Sequence, residues 1–253
     1  MKLFYKKLGQ GQPLIVMHGL MGMLDNWTTP AKVLAQHFEV YLIDQRNHGH
    51  SPHSDDFSYQ DMSDDLYEFI ENHQLEGAHI LGHSMGGKTA MKFAQNHSDM
   101  LSKLIVADIA PRVYDVHHQQ ILAGLQAVDL DKIKKRSDAD ETLQQYIPEF
   151  GVRQFLLKNL YWPEKGQLGW RFNLQVIADT IEKIGEEISD RQYDGETLFI
   201  RGENSDYIQD SDQEMIDIYF PDSKIETITN AGHWVHAEQP EQFLTYVLNF
   251  LNQ

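Results

Sequence analysis

The stretch Leu81–Gly87 (LGHSMGG) directly follows the apolar run Ala78–Leu81 and precedes the helix-like run Lys88–Gln95 (KTAMKFAQ). It contains the pattern Gly-x-Ser-x-Gly, with Ser84 at its centre. A serine at a tight turn between a strand and a helix is held in a strained backbone conformation, and flanking glycines avoid a Cβ collision across that turn. The stretch therefore predicts a strand, a sharp turn and a helix, with Ser84 presented as a nucleophile.

An upstream motif supplies candidate donors for an oxyanion. The apolar run Pro13–Met17 predicts a short buried strand, and it ends in His18–Gly22 (HGLMG). Backbone N–H groups after such a His-Gly pair and after the nucleophile together bind the oxyanion of a tetrahedral intermediate. We therefore predict that the N–H groups of Leu20 and Met85 form an oxyanion hole.

A downstream motif supplies a candidate base. Residues Lys224–Thr229 predict a strand that runs into Ala231–Trp234 (AGHW). A histidine on the loop after the last strand of a sheet is placed to reach a serine near the middle of the chain. We therefore predict that His233 is the catalytic base.

Short β-like runs alternate with longer amphipathic runs along most of the chain. This alternation predicts an α/β fold with a mostly parallel, twisted sheet and helices on both faces. Functional residues of such sheets lie at the carboxyl ends of the strands. The predicted strands are Pro13–Met17, Glu39–Ile43, Ala78–Leu81, Lys103–Ala107, Thr197–Ile200 and Lys224–Thr229.

The alternation fails between Ile109 and Glu196, where helical patterns occur without a convincing strand. We predict an inserted helical cap over residues 111–196, with residues 1–110 and 197–253 forming the core domain. The predicted cap helices are Asp115–Val128, Asp140–Tyr146, Val152–Asn159 and Leu174–Ile188. Eight aromatic residues in this region suit the lining of an apolar substrate pocket, but most of them are expected to form the core of the cap: Tyr114, Tyr146, Phe150, Phe155, Tyr161, Trp162, Trp170 and Phe172.

Composition narrows the class of protein. The chain has 253 residues, 21 Lys and Arg against 38 Asp and Glu, and a net charge of −17, which repels nucleic acid and anionic membranes. The apolar run at the start is too short for a signal peptide, and no segment approaches the ~20 apolar residues of a membrane span. We expect a cytoplasmic protein that acts on small molecules, as a monomer or weak homodimer. The absence of cysteine excludes disulfides and a thiol nucleophile.

Three groups of polar residues are considered as possible functional sites. Asp44, Arg46 and His48 follow a predicted strand, and we expect a hydrogen-bonded network that shapes the adjacent loop. The loop from His48 to Asp56 is rich in His and Asp but lacks metal-ligand spacing, so we expect no metal and no cofactor. The basic cluster Lys132–Arg136 suits coenzyme A phosphates, but a solvated helix face balanced by nearby aspartates is the better interpretation.

The motifs together resemble the α/β-hydrolase family, and within it the small bacterial esterases. The resemblance extends over the whole chain and is carried by residues 18–27, 44–51, 82–87, 108–111, 202–205 and 232–238. It implies an α/β-hydrolase fold and hydrolysis of short- to medium-chain carboxylic esters or of acyl-CoA thioesters, without a cofactor. It also implies a Ser-His-Asp triad with Ser84 and His233.

The acid of this triad has two candidates. Many α/β-hydrolases carry the acid in a Gly-x-x-Asp pattern, but here Ser205 occupies that slot and Asp206 lies one residue later. The esterases that the chain resembles place the acid after an earlier strand, which corresponds to Asp108. We favour Asp108 and keep Asp206 as the alternative.

Other activities remain compatible with this sequence. A carbon–carbon bond hydrolase or a cofactor-free perhydrolase would use the same triad, and the fold also serves as a non-catalytic ligand receptor. Dehalogenase and epoxide hydrolase activities are disfavoured because those enzymes carry aspartate at the position of Ser84.

Overall fold

A seven-stranded sheet forms the centre of the computed structural model, which describes residues 1–115, 118–164 and 166–253. The strands are β1 Tyr5–Leu8, β2 Pro13–Met17, β3 Glu39–Ile43, β4 Ala78–His83, β5 Leu101–Ala107, β6 Leu160–Glu164, β7 Gln167–Trp170, β8 Thr197–Gly202 and β9 Ser223–Ile228. The central sheet has the order β1-β3-β2-β4-β5-β8-β9, and only the β1–β3 pair is antiparallel among its described strands. The predicted mostly parallel sheet is therefore confirmed.

The six predicted strands agree with the observed ones to within two residues at each end. Strand β1 was not predicted. Its sequence, Tyr5-Lys6-Lys7-Leu8, has two exposed lysines at its centre and lies at the edge of the sheet. Charged residues, lysine above all, protect edge strands from pairing with other chains, and they also obscure the apolar pattern by which strands are recognised.

Helices cover both faces of the sheet, as predicted. They are α1 Thr28–Leu34, α2 Tyr59–His73, α3 Met85–Asn96, α4 Gln119–Ala127, α5 Arg136–Leu143, α6 Phe150–Leu157, α7 Leu174–Ile184, α8 Gln213–Tyr219, α9 Val235–Glu238 and α10 Pro240–Leu251. One hydrophobic cluster joins α1 and α10 to one face, through Leu34 and Phe243. The other cluster joins α2, α3 and α8 to the opposite face. No helix of the described residues is long and apolar enough to span a bilayer.

The described residues between β5 and β8 form four helices, α4 to α7, and the hairpin of β6 and β7. The expectation that this segment lacks strands was therefore wrong. The strands of the hairpin have only five and four residues, and Pro163 and Gly169 interrupt their pattern. The helices also differ from their predicted bounds. For example, α4 begins at Gln119, whereas its predicted start included Val116 and His117, which lie outside the described residues.

This segment packs on the core through the cluster that contains α2 and α3. Its rings Trp170 and Phe172 are buried and stack with centroids 5.4 Å apart. By contrast, Phe150 is 65% exposed, Trp162 is 55% exposed and Tyr146 is 37% exposed, so the expectation that the aromatic residues mostly form the core of the cap was wrong for these three. The segment coincides with the predicted cap, residues 111–196, whose status as a separate domain stays a prediction.

Candidate active site

The carboxyl ends of four neighbouring parallel strands bring the predicted residues to one edge of the sheet. His18 follows β2, Ser84 follows β4 and Asp108 follows β5. The loop 203–206 follows β8. Because these strands are adjacent and parallel, their ends meet at a common rim.

Ser84 lies at a strained turn between β4 and α3. Its backbone has φ 52° and ψ −118°, outside the regions that a residue with a side chain ordinarily adopts. A Cβ on Gly82 would overlap the Gly86 carbonyl group and lie 2.6 Å from Gly87 N. A Cβ on Gly86 would lie 2.6 Å from the His18 carbonyl oxygen. The glycines therefore permit the turn that presents Ser84, as the sequence predicts.

The structure brings His233 and Asp108 into direct contact. His233 lies on the loop between β9 and α9, and its Nδ1 is 2.7 Å from Asp108 Oδ2. Asp108 is fully buried and has φ 51°, so its carboxylate turns back across the sheet edge instead of continuing the strand. A neutral imidazole that donates from Nδ1 keeps Nε2 free as a proton acceptor.

Two further donors fix the Asp108 carboxylate. The Gly202 N–H donates to Oδ1 at 2.9 Å, and the Ser205 hydroxyl donates to Oδ2. Ser205 occupies the slot in which the more common pattern carries its acid, so its side chain now supports the carboxylate from the earlier strand. Asp206 is exposed, and its carbonyl oxygen accepts a hydrogen bond from Arg112. The geometry thus places Asp108, and not Asp206, against His233.

Two neighbours position the His233 side chain and backbone. The Tyr207 ring stacks on the imidazole with centroids 4.0 Å apart. His83 Nε2 donates to the His233 carbonyl at 2.8 Å, and burial holds the pKa of His83 well below its usual value. Sequence reasoning missed both residues. His83 occupies a variable position of the Gly-x-Ser-x-Gly pattern, and Tyr207 lies on a loop without a motif.

The predicted oxyanion donors flank Ser84. Met85 is the first residue of α3, so its N–H has no acceptor within the helix. Leu20 follows Gly19, at which a Cβ would lie 3.2 Å from the Ser84 Cβ. Leu20, Ser84 and Met85 line one cavity. Their backbone therefore borders the space in which a substrate carbonyl would lie, and the role of the two N–H groups stays a prediction.

Two buried neutral histidines shape the loop that carries Leu20. His18 Nδ1 donates to the Gly19 carbonyl at 2.8 Å, and its Nε2 accepts the Gln45 N–H at 3.0 Å. His48 Nε2 accepts the Met21 N–H at 3.0 Å. Burial lowers the pKa of His18 to about 4 and that of His48 to about 3. Each ring therefore stays neutral near pH 7 and uses Nε2 as an acceptor.

The predicted network around Asp44 and Arg46 is confirmed. Asp44 is buried and accepts the N–H groups of Leu24 at 2.7 Å and His50 at 2.8 Å. Arg46 forms a bidentate ion pair with Asp65, with N–O distances of 2.6 and 2.9 Å. These contacts join the loop after β3 to the loop after β2 and to α2. Their role is to hold the rim in shape.

Lys88 is a buried residue that sequence reasoning missed. It lies on α3, one turn after Ser84, and its ammonium donates to the carbonyls of Arg112 at 2.9 Å, Gly185 at 3.3 Å and Glu186. Burial, together with the nearby positive charge of Arg112, lowers its pKa to about 7, while the negative charges of Glu187 and Glu186 act in the opposite direction. The signal in the sequence is its spacing: a residue four positions after the nucleophile lies on the same face of the helix.

Two cavities open on Ser84. The first, which we call the Tyr59 cavity, has about 520 Å³ and is lined by Tyr59, Ile109, Tyr114, Ile181 and Ile184 among others. The second, the Phe155 cavity, has about 500 Å³ and is lined by Val152, Phe155, His233 and Trp234 among others. Both volumes lie in the range of small-molecule sites. Phe155 and Tyr114 thus line cavities and do not form a separate core of the cap.

The other polar groups considered from the sequence are the His- and Asp-rich loop 48–56 and the basic cluster 132–136. Among the residues that the structure describes, no three His, Asp or Glu side chains are grouped to hold a metal. In the basic cluster, Lys132 pairs with Asp129 at 2.6 Å and Lys135 with Asp138 at 3.7 Å, all four on the surface. These two lysines are exposed and paired, as expected for a solvated charged surface, but the expectation of a helix face was wrong, because the three lysines of the cluster precede α5, which begins at Arg136.

Comparisons with known proteins agree with this geometry. Residues 12–128 match the family described as alpha/beta hydrolase fold. The sn-1-specific diacylglycerol lipase ABHD11 of Mus musculus is 40% identical over 247 residues, which cover 94% of this chain and 80% of that protein. Esterase YbfF of Escherichia coli (strain K12) is 36% identical over 241 residues, which cover 95% of this chain and 93% of that protein.

A solved structure of a marine microorganism esterase has a TM-score of 0.96 and 47% identity, and the match covers 98% of this chain and 99% of that chain. Both the sequence relatives and this structure are esterases or lipases by name, and the match extends through the core and the inserted segment alike. The chain therefore belongs to the α/β-hydrolase family and is a carboxylic ester hydrolase of the esterase and lipase type.

Proposed function

We propose that the chain hydrolyses carboxylic esters of short to medium acyl length through a triad of Ser84, His233 and Asp108. The observation that carries this proposal is the 2.7 Å contact between Asp108 Oδ2 and His233 Nδ1, at a cavity that His233 and Ser84 line together. A buried carboxylate in this position fixes the imidazole tautomer and stabilises the imidazolium that forms during catalysis.

In the acylation step, His233 Nε2 accepts the Ser84 hydroxyl proton while Oγ forms a bond to the ester carbonyl carbon. The carbonyl electron pair moves onto oxygen, and the N–H groups of Leu20 and Met85 stabilise that charge. The intermediate collapses, the bond to the alkoxy oxygen breaks, and His233 gives its proton to that oxygen. The alcohol leaves, and the acyl group remains on Ser84.

In the deacylation step, water takes the place of the alcohol, and the chemical events of acylation occur in the reverse order. His233 accepts a proton from the water as its oxygen attacks the acyl carbon, and the same oxyanion donors stabilise the second intermediate. The bond to Ser84 Oγ then breaks and the serine regains its proton from His233. The products are one carboxylic acid and one alcohol, with a net consumption of one water.

A substrate panel tests this proposal. It contains nitrophenyl esters of increasing acyl length, acyl-CoA thioesters, and a diacylglycerol because the mouse relative is named as a diacylglycerol lipase. We expect turnover of the esters and a loss of about 10⁴-fold or more in kcat for Ser84→Ala. The exposed Ser102→Ala is the matched control and should retain wild-type turnover. Undiminished turnover by Ser84→Ala would contradict the proposal.

A further inference from the structure

The two cavities at Ser84 meet at a partition. Leu20, Ser84 and Tyr207 line both of them. The Tyr207 ring lies between rings of the two sides: its centroid is 4.0 Å from that of His233 and 5.4 Å from that of Tyr114. A substrate whose carbonyl carbon lies at Ser84 can therefore extend in two directions, one on each side of Tyr207.

The two sides differ in access to the base. Among the described residues, His233 lines the Phe155 cavity and is not part of the Tyr59 cavity. Met85, one of the two proposed oxyanion donors, lines the Tyr59 cavity. Leu20, the other donor, lines both cavities, so Met85 and His233 are the two groups that lie on opposite sides of the carbonyl carbon.

The positions of the base and the oxyanion donors determine where the three substituents of the tetrahedral carbon, other than Ser84 Oγ, must lie. The oxyanion must point to the N–H groups of Leu20 and Met85. The leaving oxygen must lie within hydrogen-bond reach of His233 Nε2, because it takes the proton from there. The acyl chain is the remaining substituent, and the space that remains for it is the Tyr59 cavity.

We propose that the acyl chain binds in the Tyr59 cavity and the alcohol group in the Phe155 cavity, so that the preferred substrates are esters in which both halves are sizeable. This inference rests on the function proposed above. Each cavity is about 500 Å³ in volume, which exceeds the needs of an acetyl group or of methanol. Ile109, Ile181 and Ile184 provide apolar contacts for an acyl chain, in a cavity that Arg112, Asp115 and Asp206 also line. Val152, Phe155 and Trp234 provide apolar contacts for an alcohol.

Hydrogen bonds to the end of α7, from the core residues Tyr59 and Lys88 and from Tyr114 after β5, fix the walls of the Tyr59 cavity. The Tyr59 hydroxyl donates to the Ile184 carbonyl at 2.7 Å, and the Tyr114 N–H donates to the Gly185 carbonyl at 2.9 Å. Lys88 donates to the Gly185 and Glu186 carbonyls. A preformed wall suits the half of the substrate that stays bound through both chemical steps. The Phe155 cavity is vacated after acylation and then admits water next to His233.

Matched blocking variants test the assignment. Ile181→Trp narrows the Tyr59 cavity and Val152→Trp narrows the Phe155 cavity, and both positions are half-buried. Ile218→Trp is the control, because Ile218 is 55% exposed and lines neither cavity. Two ester series are compared: p-nitrophenyl esters from acetate to decanoate, and acetates from ethyl to octyl acetate. If a tryptophan variant fails to fold, Ile184→Phe or Ile121→Phe replaces it on the same side.

We expect Ile181→Trp to lower kcat/KM for p-nitrophenyl decanoate relative to the acetate by about tenfold or more. We expect Val152→Trp to lower kcat/KM for octyl acetate relative to ethyl acetate by a similar factor. It should leave the rate of deacylation within about twofold of wild type, because the alcohol has gone by then. The Ile218→Trp variant should follow wild type in both series.

The reverse pattern, or the same response of both variants in one series, would overturn the assignment. The mass of Ser84-containing peptides from wild-type enzyme under turnover distinguishes a failure of the proposed function from a failure of the cavity assignment. If Ser84 is not acylated, the proposed function fails. If Ser84 is acylated but the variants respond in reverse, only the assignment of the cavities fails.

Discussion

Asp108 is a buried carboxylate whose hydrogen bonds determine its role. It accepts from Gly202, Ser205 and His233, whereas Asp206 is exposed and separate from this network. Motif spacing predicted Ser84 and His233, whereas Asp108 was predicted from the resemblance to small bacterial esterases, with Asp206 as the alternative. It did not predict that Ser205 supports the carboxylate, because that contact depends on how two loops from distant parts of the chain approach each other.

Replacement of Asp108 by Asn should reduce kcat by about 10⁴-fold, because the amide disrupts the tautomer that His233 needs. Folding should persist, since Asn retains a side-chain oxygen for the Gly202 N–H. Asp206→Asn is the matched control, and its kcat should stay within about twofold of wild type. Steady-state ester hydrolysis measures both. A large loss for Asp206→Asn with little change for Asp108→Asn would reverse the assignment.

We expect the protein to lose stability in acid because His18 and His48 are buried as neutral rings. Their pKa values in the folded state are about 4 and about 3, below the 6.5 of an unperturbed histidine. Between these values and pH 6.5 the unfolded chain binds more protons, so the free energy of unfolding falls as the pH falls. For His18 alone the shift corresponds to about 3 kcal/mol.

Urea unfolding between pH 4 and pH 7 measures this dependence. His48→Gln removes the titrating ring but keeps a side-chain oxygen as an acceptor for the Met21 N–H, so its stability should change less steeply below pH 6.5 than that of wild type. The exposed His37→Gln is the control and should keep the wild-type slope. Equal slopes for all three proteins would show that His48 does not titrate in this range.

The strand–turn–helix element around Ser84 depends on glycine for steric reasons. A Cβ at Gly86 would lie 2.6 Å from the His18 carbonyl oxygen and 2.7 Å from that of Met17, both of which are backbone atoms. Backbone atoms cannot move aside as a flexible side chain can. The sequence predicted this element correctly because the motif and its sterics are local.

We therefore expect Gly86→Ala to lower the free energy of unfolding by about 3 kcal/mol or more, with loss of activity. Gly151→Ala is a matched control, because a Cβ at Gly151 has no atom within 4 Å and the residue lies in α6. Its stability should be unchanged or rise by up to about 1 kcal/mol. Chemical denaturation measures both variants, and a stable, active Gly86→Ala would refute the steric explanation.

Helix α3 also joins the core to the end of α7 through Lys88. If Lys88 is replaced by Met, the carbonyls of Arg112 and Glu186 lose this donor, whereas that of Gly185 keeps the Tyr114 N–H. We expect a loss of about 2 kcal/mol in the free energy of unfolding, because unpaired buried polar groups cost more than the removal of one buried charge gains.

Lys92→Met provides the comparison for Lys88→Met. Lys92 lies one turn further along α3 and pairs with the exposed Asp190, so its removal should change stability by less than about 0.5 kcal/mol. Both variants are measured by urea unfolding at pH 7. If they are equally stable, Lys88 does not hold the two elements together.

Elements without a strong apolar period were the ones that sequence reasoning missed. Strand β1 carries two exposed lysines, and the β6–β7 hairpin is short and contains Pro163 and Gly169. Both are held in place by pairing with a partner strand and not by their own pattern. A pattern within one segment cannot reveal such pairing.

At the scale of the whole molecule, the sequence predicted the layers but not how the inserted segment docks. One hydrophobic cluster joins residues of the insertion to the α2 and α3 side of the sheet, which leaves the two cavities on either side of Tyr207. Their shapes depend on contacts between residues far apart in sequence. The class of substrate therefore follows from tertiary packing, whereas the chemistry follows from local motifs.

The proposed mechanism requires that Ser84 becomes acylated during turnover. Rapid mixing with a p-nitrophenyl ester, followed by acid quench and mass analysis of peptides, measures this directly. We expect a burst of about one nitrophenol per chain and an acyl mass increment on the peptide that contains Ser84, both absent in Ser84→Ala. A burst that persists in Ser84→Ala, or an acyl group on a different residue, would contradict it.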